Sequence, residues 1–146
     1  GVTLAVSLHA PNDSIRRQLM PIANRVNMEE LMAACRYYTE RTHRRITFEY
    51  ALARGVNDAP EHARELAGRL RGILCHVNLI PVNPVRERSL LASENPRIQR
   101  FLSILEQEKI PVTLRREMGR DIDAACGQLR RRYEEQEGKD EDSVSV

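Results

Sequence analysis

Residues 45–52, RITFEYAL, put Ile46, Phe48, Tyr50 and Leu52 on one side of an extended chain and Thr47, Glu49 and Ala51 on the other. A two-residue period with aromatic and β-branched residues on its apolar side predicts a strand that buries one face in a core. Three further runs read the same way. Residues 2–8 set Val2, Leu4, Val6 and Leu8 against Thr3, Ala5 and Ser7; residues 76–82 (HVNLIPV) are ended by Pro81; residues 112–115 form a short fourth run. Thr3, Ser7, Thr47, Glu49 and Asn78 make the second face of the expected sheet partly polar.

Between these runs the apolar period lengthens to about 3.6 residues, the signature of amphipathic helices. Leu31, Ala34, Cys35 and Tyr38 fall at helical spacing, as do Ala63, Leu66, Ala67 and Leu70, and Ile98, Phe101, Leu102 and Leu105. Asn27 with Glu30 has the capping-box pattern, Asp58 stands before Ala-Pro-Glu, and Asn95 precedes Pro96 at an expected first helical position. A shorter helix is expected over 14–20, stopped by Pro21. Strand and amphipathic helix in alternation predict βαβ units. The fold class is therefore α/β, a partial barrel of parallel strands with the helices on its outer face. Ligands in such sheets bind at the C-terminal ends of the strands. Those ends are Ser7-Leu8-His9, Ala51-Leu52, Pro81-Val82-Asn83 and the loop after Arg115.

The chain has 146 residues, the size of one domain, with 41% hydrophobic and 30% charged residues. Its longest apolar runs, such as residues 31–35, are too short to cross a bilayer, so no membrane partner is expected. Cys35, Cys75 and Cys126 are odd in number and far apart, which argues against a disulfide framework and suits the reducing cytoplasm. The charge is unevenly spread. Lys and Arg total 23 against 21 Asp and Glu, and residues 134–146 hold six of the acids and one of the bases; the body 1–133 keeps 22 bases and 15 acids, a net +7. A basic body favours polyanionic partners. The acidic tail 134–146, with Gly138 and two serines, reads as a disordered end beyond a folded domain of residues 1–133.

Three strings stand out. SLHAPND (7–13) leaves the first strand for a helix, with Ser7 and His9 on one face; its plainer reading is a strand end followed by a helix cap at Asn12 or Asp13. Asn83 follows the third strand and precedes Pro84, which biases it toward an extended backbone with its amide toward a ligand. In DIDAACGQL (121–129), Cys126 sits among small residues after a loop carrying Arg115, Arg116 and Arg120. Cys35 and Cys75 read as packing residues, whereas guanidiniums near Cys126 would favour its nucleophilic thiolate.

Together VSLHAPND, LMPI, EYALARGVNDAPEHARELA (49–67), VNLIPVNP and DIDAACGQL make the chain resemble the radical S-adenosylmethionine adenine-C2 methyltransferases of ribosomal and transfer RNA, and more distantly the adenine-C8 resistance methyltransferases. The resemblance covers roughly residues 2–133. It implies a partial (β/α) barrel holding a 4Fe-4S cluster and S-adenosylmethionine, the latter contacted by Ser7, Leu8, His9 and Asn83. It also implies that Cys126 is S-methylated, that a deoxyadenosyl radical then abstracts hydrogen from that methyl, and that the methylene radical adds to the adenine carbon before a second cysteine resolves the adduct. The implied partners are ribosomal RNA and an external electron donor, with transfer RNA as a substrate left open. An aromatic C–H carbon is too poor a nucleophile for direct methyl transfer, so the cofactor must bring radical chemistry while the protein positions it.

The family's CxxxCxxC motif, its second catalytic cysteine and its Gly-Glu strand-end motif all lie before the matched region, and none occurs in this sequence. The expectation is a C-terminal segment of a longer enzyme that is inactive alone. The alternative is a half-barrel that binds RNA or a protein partner without catalysis. The charge distribution predicts that binding to structured RNA weakens steeply with added salt. Deleting residues 134–146, and with them five net negative charges, is expected to strengthen that binding in filter-binding assays. Salt-insensitive association would remove the electrostatic argument.

Overall fold

The computed structural model describes residues 3–20, 25–83 and 90–115. In chain order the elements are β1 (Leu4–Ser7), α1 (Asp13–Leu19), α2 (Met28–Thr42), β2 (Ile46–Leu52), α3 (Pro60–Leu70), β3 (Cys75–Pro81), α4 (Asn95–Gln107) and β4 (Val112–Leu114). The strands form one parallel sheet in the order β1-β2-β3-β4. No described helix is long and apolar enough to cross a membrane.

The register aligns the alternating residues across the sheet. Val6, Phe48, Val77 and Val112 share one rung, and Tyr50, Leu79 and Leu114 another. These side chains join Met28, Leu31, Met32 and Cys35 of α2, Ala63, Leu66, Ala67 and Leu70 of α3, and Ile98, Phe101, Ile104 and Leu105 of α4 in one hydrophobic core. That shared core places α2, α3 and α4 on the same face of the sheet. Tyr50 meets Phe101 with ring centroids 5.1 Å apart and planes tilted by 41°, an arrangement that adds about 1 kcal/mol to plain area burial.

On the opposite face the register aligns Ser7, Glu49, Asn78 and Thr113 in a single polar rung, with Thr47 and His76 paired below it. His76 Nε2 lies 2.6 Å from Thr113 Oγ1. Burial, and next the charge of Arg45, push the His76 pKa down. The expected polar inner face is present.

Local signals place most helix starts. The Asn27 side chain accepts from Glu30 N–H while Glu30 accepts from Asn27 N–H, the reciprocal capping box. Asn12 caps α1 by accepting from Ile15 N–H. Asp13 accepts from Met28 N–H at 2.7 Å, so a carboxylate sits against the positive end of α2. Two starts differ from expectation. Asp58 is not the cap of α3: its carboxylate accepts from Gly55 N–H and Ser93 Oγ, Ala59 holds the capping position, and Ala59 N–H donates to His62 Nδ1 instead. α4 begins one residue earlier than its proline suggested, with Glu94 at the cap position and Asn95 inside the helix.

Cys35 and Cys75 are buried and unpaired, and burial pushes both thiols up to about 11. An unfolded thiol ionises nearer 9, so above that pH the unfolded chain sheds protons that the folded chain retains. Stability is then full below pH 9 and falls as pH rises toward 11. Tyr50, whose hydroxyl burial pushes well above its ordinary range, acts in the same direction. The urea midpoint is expected to drop between pH 9 and 11, and less so in a Cys75→Ala variant. A midpoint flat across that window would contradict the burial of these groups.

Candidate functional site

β1 ends at Ser7, and the chain turns immediately. Leu8 N–H and His9 N–H both donate to the Glu49 carbonyl, at 3.0 and 3.2 Å. His9 then adopts the left-handed conformation with φ 59°, which costs a residue bearing a Cβ roughly 1–3 kcal/mol unless its surroundings hold it. The surroundings do. His9 Nδ1 accepts from Ala51 N–H at 2.9 Å, and its carbonyl accepts from Asn57 Nδ2 at 2.7 Å. His9 is buried, and the turn delivers its ring to the C-terminal end of β2.

The neighbouring carbonyls are gripped as firmly. Arg16, on α1, is fully buried and donates from Nε to Leu8 O and from Nη2 to Ser7 O, each at 3.2 Å. Its Nη1 has no partner among the described residues. Burial lowers the Arg16 pKa, and nearby Asp13 partly opposes that shift. Arg69, on α3, donates to Pro11 O at 2.5 Å, and Asn12 Nδ2 donates to Glu65 of the same helix.

The loop after β2 ties the next strand ends together. Arg54 donates from its main chain to Leu91 O and from Nε to Ala92 O, and Ala53 bridges to Ala92. Gly55 takes φ 73°, a conformation that needs no Cβ, and places its N–H on Asp58. Asp58 in turn holds Ser93 from the β3–α4 segment. Ala51, Ala53 and Val82, with Val56 and Leu90, form a small apolar cluster apart from the main core.

Of the residues singled out in the sequence, Ser7, Leu8, His9 and Asn83 stand at the same end of the sheet. Ser7 closes β1, while Asn83 is half-buried two residues past β3. Two inter-strand spacings, about 10 Å, separate the ends of β1 and β3. The Leu8 side chain belongs to the core, so only its main chain faces the turn. Cys126 and the DIDAACGQL string lie outside the described residues. Sequence reasoning missed Arg16 and Asn57. Arg16 shares a helical stripe with buried Leu19 and Met20, and a cation on an apolar stripe is a usable signal. Two of the partners of Asn57 are local, Ala51 and Ala53, but its bond to His9 spans 48 residues.

His9 and Asn83 place an imidazole and an amide at this end of the sheet, donors and acceptors of the kind that the polar groups of S-adenosylmethionine require. A 4Fe-4S cluster finds no such fit. No group of three or more His, Cys, Asp or Glu is placed to hold a metal among the described residues, and Cys35 and Cys75 are buried in the core.

No protein-family model matches the chain. Over 139 residues it is 58% identical to a Clostridium tetani protein named "probable dual-specificity RNA methyltransferase", covering 95% of this chain and 40% of that protein. A protein of the same name from Desulforamulus reducens is 57% identical over 133 residues, covering 91% of this chain and 38% of its own length. The chain thus spans about two fifths of the curated relatives it matches. Among solved structures, a radical SAM methyltransferase from Sphaerobacter thermophilus is 52% identical with a TM-score of 0.76, over 87% of this chain and 37% of that one. A domain of pyruvate-formate lyase-activating enzyme from Bacteroides vulgatus shares the fold with a TM-score of 0.60 at 14% identity, over 76% of this chain and 65% of that one.

Replacing Arg16 by Met should remove its donors from the Ser7 and Leu8 carbonyls, at about 1–3 kcal/mol each, partly offset by no longer burying a cation. The net expectation is a loss of about 1–4 kcal/mol in urea unfolding. An unchanged midpoint would mean that the two carbonyls find other donors.

Proposed function

We propose that this chain, which belongs by sequence and fold to the radical S-adenosylmethionine dual-specificity RNA methyltransferases, is the segment of such an enzyme that binds the cofactor's nucleoside end and carries the methyl-accepting thiol. The complete enzyme would methylate carbon 2 of an adenine in ribosomal RNA, with transfer RNA as a second substrate and an external electron donor. The observation that supports this reading most is the built turn at the end of β1. Its carbonyls are held by buried Arg16 and Asn57, and Ala51 N–H holds the His9 ring at the end of β2.

Ser7, His9 and Asn83 would hold S-adenosylmethionine, with Leu8 contributing the main chain between the first two. When bound, that cofactor supplies both a transferable methyl group and, with a reduced cluster, radical chemistry. Among the described residues no group of three or more His, Cys, Asp or Glu could hold that cluster. The apolar cluster of Ala51, Ala53 and Val82 is itself buried and would keep water from the strand ends beneath the cofactor.

Cys126 would carry the methyl group toward the RNA base. Of the three thiols, Cys35 and Cys75 are disqualified by their place in the core and by raised pKa values, which leave them neutral at physiological pH. The basic body of 1–133 would meet the RNA phosphates.

The test uses a complete enzyme that contains this segment. With labelled S-adenosylmethionine and ribosomal RNA, Cys126→Ala is expected to lower methyl transfer at least a hundredfold. Cys35→Ala and Cys75→Ala should retain transfer and lose only stability, by about 1–3 kcal/mol. Methylation at the ordinary rate by Cys126→Ala would overturn the assignment.

A further inference from the structure

One fully buried side chain near the proposed cofactor site takes no part in the chemistry above. Asn57 stands in the loop after β2. Its Oδ1 accepts from Ala53 N–H at 2.9 Å, and its Nδ2 donates to His9 O at 2.7 Å and to Ala51 O at 2.8 Å. Its own carbonyl accepts from the buried Tyr50 hydroxyl at 2.7 Å. The chemistry of the partners dictates which way the amide points. A backbone N–H can only donate, so the atom facing Ala53 N must be the oxygen. The two carbonyls can only accept, so the atom between them must be the NH2 group.

The same logic reads the imidazole. Ala51 N–H can only donate, so His9 Nδ1 is the bare nitrogen, and in the neutral ring Nε2 carries the proton. Asn57 grips both sides of that bond. It holds the carbonyl of His9, whose left-handed backbone aims the ring, and the carbonyl of Ala51, whose N–H meets the ring. An aspartate of the same shape would keep the oxygen facing Ala53 but turn a second oxygen, with negative charge, toward two carbonyls.

We infer that Asn57 is a positioning residue for His9, setting the ring's tautomer and aim so that S-adenosylmethionine affinity depends on a side chain that acts through His9. The inference rests on the proposed reading that His9 contacts that cofactor.

The experiment uses the complete, cluster-loaded enzyme containing this segment, as wild type and as Asn57→Asp, His9→Ala and Leu66→Ala, the last a core substitution on α3 that serves as a stability control. Two readouts are taken at a temperature where circular dichroism shows every variant folded: the nitrogen-15 shifts of the labelled imidazoles and the equilibrium affinity for S-adenosylmethionine. Wild-type His9 is expected to show the Nε2–H tautomer. Asn57→Asp should lose that signature and bind S-adenosylmethionine at least tenfold more weakly, while Leu66→Ala keeps both. A wild-type His9 signal or wild-type affinity in Asn57→Asp overturns the inference, as does an Nδ1–H tautomer in the wild type. Should Asn57→Asp fail to fold, Tyr50→Phe, which loosens Asn57 from its carbonyl side, must shift the His9 signal in the same direction or the inference falls. If His9→Ala binds the cofactor as tightly as wild type, the cofactor assignment of His9 is what fails; the imidazole signal of Asn57→Asp then decides the positioning claim alone.

Discussion

Where a parallel strand ends inside a protein, its last carbonyls lose their ladder partners in a region that water does not reach, and each must find a donor. At the end of β1 four carbonyls are satisfied by side chains: Ser7 and Leu8 by Arg16, His9 by Asn57, and Pro11 by Arg69. These donors arrive from α1, from the loop after β2 and from α3. The turn is therefore a tertiary object whose geometry depends on three separate elements being docked. Arg16 shows how strong this demand is, since a guanidinium is kept wholly out of water to meet it.

The sheet divides its labour by face. One face is apolar at every rung and closed by three helices, so its cysteines are packing groups and its tyrosine hydroxyl serves a structural bond. The other carries a polar rung across all four strands, Ser7, Glu49, Asn78 and Thr113. Among the described residues, and Tyr50 apart, the polar side chains of the sheet lie on that second face. The division follows from the two-residue period of each strand, because a register slip of one residue would exchange the faces.

The loops above the strands are joined to one another as well as to the sheet. Asp58 holds Ser93, Arg54 reaches Leu91 and Ala92, and Asn57 reaches back to His9. Loops cross-braced this way hold the strand ends in one arrangement, and a ligand that met a braced surface would lose less entropy on binding. The ends of β1, β2 and β3 lie within two strand spacings of one another, roughly 10 Å.

What the sequence determined by itself is everything that depends on near neighbours. Alternation in RITFEYAL and its companions set the strands and their two faces, and helical spacing set α2, α3 and α4. Asn12 and Asn27 capped their helices as short polar side chains do when a free N–H lies within three residues. The same local reasoning misassigned Asp58, because an acid before a helix has the right chemistry for a cap and only the fold brought Ser93 within its reach. It also passed over Arg16 and Asn57. Arg16 serves carbonyls eight and nine residues before it, and Asn57 joins its local partners to a carbonyl 48 residues away, contacts brought about by strand pairing and helix docking. Which polar groups must be buried together is a property of the packed chain, so only the tertiary structure decided that these two side chains hold the turn on which His9 sits.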